Sequence, residues 1–207
     1  MDNSVNFNLN TICDGHHKVT YRGIKAIRCP FDYVLYQIVI SRIKPDLIIE
    51  IGTNAGGGSL YFSDLQQLNG GGTLHTIDII DMVTNKKVKS NPNIKRFLGG
   101  YQNYDLINTK GFNNILVIDD GSHTYEDVKN SLNKFTHLIP KNSYFIVEDG
   151  ILDELGYDGY NGGPLRAIEE FLNVDDSFTI DRDICDLFGK NATFNVNGFL
   201  KKIKWVY

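Results

Sequence analysis

Short, wholly apolar blocks alternate along this chain with stretches whose apolar residues recur every third or fourth position. Leu47–Ile51, Thr73–Asp78, Ile94–Leu98, Ile115–Asp119 and Tyr144–Val147 read as strands. Runs such as Ile115-Leu116-Val117-Ile118 and Tyr144-Phe145-Ile146-Val147 suit strands buried on both faces of a parallel sheet. Between strands, Tyr61, Leu65 and Leu68 predict a helix over 57–68. Tyr125, Val128, Leu132, Phe135 and Ile139 give the clearest amphipathic period of the chain. Ahead of the first strand, Pro30 opens a helix with the stripe Phe31, Val34, Leu35, Ile38 and Val39, and Pro45 ends it. Pro164 opens a short helix carrying Leu165, Ile168, Phe171 and Leu172. Two last strands are predicted near Phe178–Asp181 and Gly198–Val206. No clear helix separates them, so one of the pair should run antiparallel. Alternating β and α units predict an α/β fold, a doubly wound, seven-stranded and mostly parallel sheet with one antiparallel strand near the C-terminus.

The rest of the pattern is polar. Residues 1–22 read as an arm or loop, and 81–93 as a loop with a weak helix. Residues 150–163 hold five glycines and no apolar period, which predicts a mobile loop over the edge of the fifth strand. The chain of 207 residues fits one domain: an N-terminal arm and helix over 1–44 and a sheet core over 45–207. A net charge of −4 with scattered basic residues argues against nucleic acid or an anionic membrane as partner. Cys13, Cys29 and Cys185 form no CxxC pair, so neither a disulfide framework nor a thiolate zinc site is indicated. With no apolar run of membrane-spanning length and no secretion signal, a reducing, cytoplasmic setting is the expectation.

Chemistry enters at the strand ends. Asp120-Gly121-Ser122-His123 follows one apolar block and Glu148-Asp149 another. If those strands are neighbours, three carboxylates and an imidazole meet at the carboxyl edge, where open α/β sheets place ligands. Clustered acids are costly without a cation, so the pattern points to a divalent metal beside a general base. Singly, the residues read more blandly: Glu148-Asp149 as a cap or loop pair, His123 as the start of a helix. Glu50-Ile51-Gly52-Thr53-Asn54-Ala55-Gly56 closes the first strand. Gly52 permits a tight turn, and Gly56 and Gly57 let a ligand approach a helix N-terminus. Asp78, 22 residues after Gly56, ends the second strand, where an acid can accept hydrogen bonds from ribose hydroxyls. Asp119 is either a buried strand end or a cofactor contact. The turn is neither GxGxxG nor a P-loop.

This turn and acid resemble motif I and the following acid of class I S-adenosylmethionine-dependent methyltransferases. The likeness extends through Tyr21-Arg22-Gly23-Ile24, Pro30-Phe31-Asp32-Tyr33, Lys44-Pro45-Asp46, Asp120…His123-Thr124-Tyr125, Val147-Glu148-Asp149, Gly163-Pro164 and Gly198-Phe199-Leu200-Lys201. Together these look like the cephalosporin hydroxylase/rhamnosyl O-methyltransferase family, and the acidic motifs are similar to those of macrolide sugar O-methyltransferases. Gly58 departs from the pattern, since relatives often carry a small hydroxyl residue there. The resemblance implies a Rossmann-like domain and transfer of a methyl from S-adenosylmethionine to a hydroxyl of a sugar, rhamnose in particular, or of a glycosylated small molecule. It places the cofactor on Glu50, Gly52, Thr53, Asn54, Gly56, Gly57, Asp78 and Asp119. Mg²⁺ or Mn²⁺ falls on Asp120, Glu148 and Asp149, with Asp120 and His123 catalytic and His123 the base. The partner implied is a small-molecule or glycan acceptor, with a homo-oligomer or a larger multidomain enzyme left open. The competing readings are a catechol-type methyltransferase, an iron oxygenase, for which no two-histidine triad is visible, and a non-catalytic nucleotide-binding module.

Overall fold

The protein is described by a computed structural model covering residues 3–5, 7–152 and 154–204. Its centre is a seven-stranded sheet. In chain order, β1 (Thr20–Tyr21) and β2 (Ile24–Lys25) form a separate small hairpin. The large sheet comprises β3 (Leu47–Ile51), β4 (Thr73–Asp78), β5 (Ile94–Leu98), β6 (Ile115–Asp119), β7 (Tyr144–Val147), β8 (Phe178–Ile180) and β9 (Phe199–Lys202). The spatial order is β5-β4-β3-β6-β7-β9-β8. Strands β3 to β7 are parallel, and β9 pairs antiparallel with both β7 and β8. The predicted sheet and its single reversed strand are therefore present. The last strand is shorter than predicted, and residues 205–207 lie outside those described.

The chain winds outward from β3 to β4 and β5, then crosses back to β6 and β7. The crevice between β3 and β6 is the switch point at which such sheets bind ligands. Register aligns Ile51 with both Ile77 and Asp119, and Asp119 with Val147, so four strand ends finish level. Alternate side chains feed two cores. Ile48, Leu116, Ile118 and Ile146 pack with α2 (Pro30–Ile43) and α3 (Gly57–Leu68) on one face. Ile49, Val117, Phe145 and Val147 pack with α5 (Tyr125–Phe135) and α6 (Gly163–Val174) on the other.

Local chemistry sets the helix bounds. Pro30 occupies the first turn of α2, and Lys44, at φ +46°, closes it in a left-handed conformation ahead of Pro45. Thr124 caps α5 by accepting from the Asp127 N–H. Three predicted details differ. α2 buries Asp32, Leu35, Tyr36, Val39 and Ile40 while Val34 is exposed, because tertiary packing rotates its inner face from the predicted stripe. α3 turns Leu60, Phe62 and Leu65 inward and leaves Leu68 outside. α5 ends at Phe135, and a 3-10 turn over Thr136–Leu138 carries the chain to buried Ile139.

The supposed arm at 1–22 contains α1 (Leu9–His16). It is started by a reciprocal cap in which the Asn8 side chain accepts from the Thr11 N–H and the Thr11 hydroxyl accepts from the Asn8 N–H. Short helices α4 (Lys86–Lys89) and α7 (Arg182–Cys185) complete the set. A third cluster, made by Cys29, Ile151, Phe194 and Val196 with Leu9, Ile12 and Leu155 against it, fastens α1 over the carboxyl edge of the sheet. No helix among the described residues is long and apolar enough to cross a membrane.

Candidate active site

A cavity of about 650 Å³ opens at the switch point. Gly52, Asn54, Asp78, Asp119 and Asp120 form its floor, at the ends of β3, β4 and β6. Ile79, Ile80 and Met82 with Gly100–Gln102 form one wall. Cys13, His16 and His17 of the α1 region, Ile151, Leu155, Tyr157 and Tyr160 of the loop after β7, and Phe194 form the other. A space of this size and mixed lining suits a small-molecule site.

Close approach of backbones builds the floor. Gly52 lies at φ +97°, and a Cβ there would stand 1.9 Å from the Asp120 carbonyl oxygen. Asp78 accepts from the Asn54 N–H at 2.9 Å and the Ile79 N–H at 2.7 Å, which ties the turn after β3 to the end of β4. Asp119 is buried, accepts from the Ser131 hydroxyl and from the Gly121 N–H at 3.2 Å, and has its carboxyl pushed up to about 6 by burial.

Four residues expected at the cofactor stand behind this floor. Glu50 is fully buried and engages the Ser59 hydroxyl, the Thr76 hydroxyl at 2.7 Å and Arg28. Thr53 bonds the Thr76 hydroxyl at 2.6 Å. The Cα of Gly56 faces Val88 and Val83, and a Cβ on Gly57 would meet the Lys25 carbonyl oxygen at 2.2 Å. On their Cβ side these two glycines lie against α4 and β2.

The acids converge beside the floor. Ligand atoms of Asp120, His123 and Asp149 lie within 4.8 Å of one another, the group among the described residues able to hold a cation. His123 Nε2 is 3.4 Å from Asp149 Oδ2 and 3.7 Å from Asp120 Oδ1. The Asn195 side-chain oxygen accepts from the Asp149 N–H at 3.3 Å, and its amide donates to the Tyr36 hydroxyl at 3.0 Å. Buried Asp32 of α2 holds the same segment through the Thr193 hydroxyl and the Phe194 N–H. Glu148, also expected as a ligand, stands apart from this group. It is buried, turned inward, and accepts from Arg28 Nε at 2.8 and 3.1 Å.

Arg28 was not legible as a site residue. It comes ahead of α2, outside every acidic motif, and its only sequence signal is a charge between Ile27 and Cys29. Its Nη2 donates to Asp120 Oδ2 at 2.8 Å and to Glu50 Oε1 at 3.3 Å. Burial works against the guanidinium charge, but Glu148, Asp120 and Glu50 outweigh it and hold its pKa well above the usual value. One guanidinium faces three acids. Burial first, then the neighbouring Glu148, pushes the Asp120 carboxyl well above the carboxylate range, and burial raises Glu50 and Glu148 as well.

Relatives place this architecture. The family model for Rhamnosyl O-methyltransferase/CmcI matches residues 14–203. A rhamnosyl O-methyltransferase of Mycobacterium tuberculosis is 25% identical over 194 residues, covering 88% of this chain and 78% of its own. Two CmcI structures share the fold. One with SAH has a TM-score of 0.69 at 19% identity, covering 99% of this chain and 96% of the other. One with Mg and SAM has a TM-score of 0.66 at 19% identity, covering 99% and 88%. The chain belongs to the Rhamnosyl O-methyltransferase/CmcI family and is an S-adenosylmethionine-dependent O-methyltransferase.

Proposed function

We propose that this enzyme methylates a hydroxyl of a sugar or glycosylated small molecule with the help of a divalent cation, Mg²⁺ or Mn²⁺. The observation that carries the reading is the convergence of Asp120, His123 and Asp149 at one rim of the cavity, next to the Gly52, Asn54 and Asp78 floor. Two carboxylates beside an imidazole offer oxygen ligands for a hard cation and leave the ring nitrogen for proton transfer. The rhamnosyl relatives and the CmcI structure with Mg and SAM support the same choice.

Gly52, Asn54, Asp78 and Asp119 would hold the cofactor, which would supply an electrophilic methyl on a sulfonium. Asp120 and Asp149 would hold the cation, which would supply charge that lowers the pKa of an acceptor hydroxyl. His123 takes the hydroxyl proton at Nε2. Asp149 Oδ2 at 3.4 Å and Asp120 Oδ1 at 3.7 Å flank that nitrogen and orient the ring. α1 and the loop after β7 enclose the acceptor and exclude water. With Tyr157, Tyr160 and Phe194 in the wall, a catechol-type acceptor is the second reading.

The test is calorimetric titration of S-adenosylmethionine and S-adenosylhomocysteine with and without Mg²⁺, followed by an acceptor screen with EDTA controls. Methylation of deoxy-sugars that EDTA abolishes is expected. Turnover confined to catechols, or indifferent to EDTA, would overturn the sugar or the cation reading respectively.

A further inference from the structure

The guanidinium of Arg28 reaches three strand ends at once: Glu50 of β3, Asp120 after β6 and Glu148 after β7. It is 4% exposed and lies 4.9 Å over the ring of Phe62. One position makes the room. A Cβ on Gly58 would stand 1.8 Å from Arg28 Nη1 and 3.0 Å from Glu50 Oε1.

We propose that Arg28 is a positioning residue of the methyl-transfer site, a resident cation admitted by Gly58 that takes Glu148 and one oxygen of Asp120 and so sets how tightly a divalent ion binds at Asp120 and Asp149, beside His123. This rests on the cation reading above. Both Glu148 oxygens are engaged by Arg28 Nε, so that carboxylate is withdrawn from the rim. A fixed positive charge 2.8 Å from Asp120 Oδ2 opposes a second cation on the same carboxylate. An arginine in a protein does not deprotonate, so pH does not release the clamp. What remains for an ion is Asp120 Oδ1 and Asp149, with His123 beside them, fewer oxygens than the sequence promised.

The experiment compares wild type, Arg28→Gln, Gly58→Ser and the Arg28→Gln/Gly58→Ser pair by calorimetric titration of Mn²⁺, with S-adenosylhomocysteine affinity as the measure of an intact fold. Arg28→Gln is expected to bind Mn²⁺ at least tenfold tighter than wild type, with S-adenosylhomocysteine affinity within threefold. Gly58→Ser alone expels the guanidinium and lowers Tm, whereas the same change in the Arg28→Gln background leaves Tm nearly unmoved. Should Arg28→Gln fail to fold, the paired variant, whose introduced hydroxyl fills the vacated space, carries the measurement. Arg28→Lys, which keeps the charge but lacks the planar fork that reaches three carboxylates, should fall between. Mn²⁺ affinity unchanged or weakened in variants that still bind S-adenosylhomocysteine would overturn the proposal and leave the cation reading standing. Binding by Arg28→Gln but not by wild type would uphold the proposal and remove the cation from the native enzyme. Binding by none would sink both.

Discussion

His123 and Asp149 each have φ near +58°, a conformation that side-chain-bearing residues seldom adopt. Backbone cost of this kind is tolerated where surrounding structure enforces it and a side chain must be aimed. Here Asn195 fixes the Asp149 amide, and the two strained residues aim at each other. His123→Gln should therefore lower kcat by roughly 10²- to 10⁴-fold with S-adenosylhomocysteine affinity unchanged. Equal loss of binding would mean that the residue shapes the cofactor site instead. Asp78→Ala should do the reverse, weakening S-adenosylmethionine by about 1.5–3 kcal/mol in calorimetry. The acids at this scale were legible because each ends an apolar strand. Which way each turns was not: Glu148 faces inward only because Arg28, 120 residues earlier, waits there.

The five parallel strands β3 to β7 could be placed from sequence almost to the residue, since an apolar block flanked by turns leaves little choice, whereas the two-residue strands β1 and β2 are too short to show a pattern and the last strand is shorter than its apolar run suggests. Helical faces could not. α2 has apolar residues all round its surface, so the sheet and α3 decide which face is buried. α1 was missed because its signal is a polar cap, Asn8 with Thr11, followed by little apolar period. β4 adds a titration. His75 is buried among Phe97, Tyr104 and Phe112, bonded to the Tyr104 hydroxyl at 2.6 Å. Burial first, then Lys95, lowers its pKa to about 4. The folded protein thus holds His75 neutral where the unfolded chain protonates it. Its stabilising share is complete above about pH 6.5 and is lost as pH falls towards 4, roughly 3 kcal/mol in all. Denaturant midpoints measured from pH 7 to 4 should fall less steeply for His75→Phe than for wild type. Parallel curves would show that His75 does not titrate in this way.

At the scale of the whole molecule, the site depends on two strand ends meeting without side chains between them. Gly52→Ala would drive a methyl into the Asp120 carbonyl at a backbone angle that favours glycine. A loss of more than about 2 kcal/mol of stability is expected in urea unfolding, together with weakened cofactor affinity. A neutral result would mean that β3 and β6 can separate at their ends.

The antiparallel strand β9 also fixes a sequence in time. During synthesis β7 emerges some fifty residues before the strand that covers its outer edge, and Asn195, which holds Asp149, emerges just ahead of that strand. Until then the row Tyr144-Phe145-Ile146-Val147 has an open, apolar flank of the kind that invites pairing with other chains. A nascent chain halted near residue 190 would thus carry every acid of the site yet lack the element that sets them. The cell gains no early catalyst from this order of emergence, only a partly finished sheet to shelter.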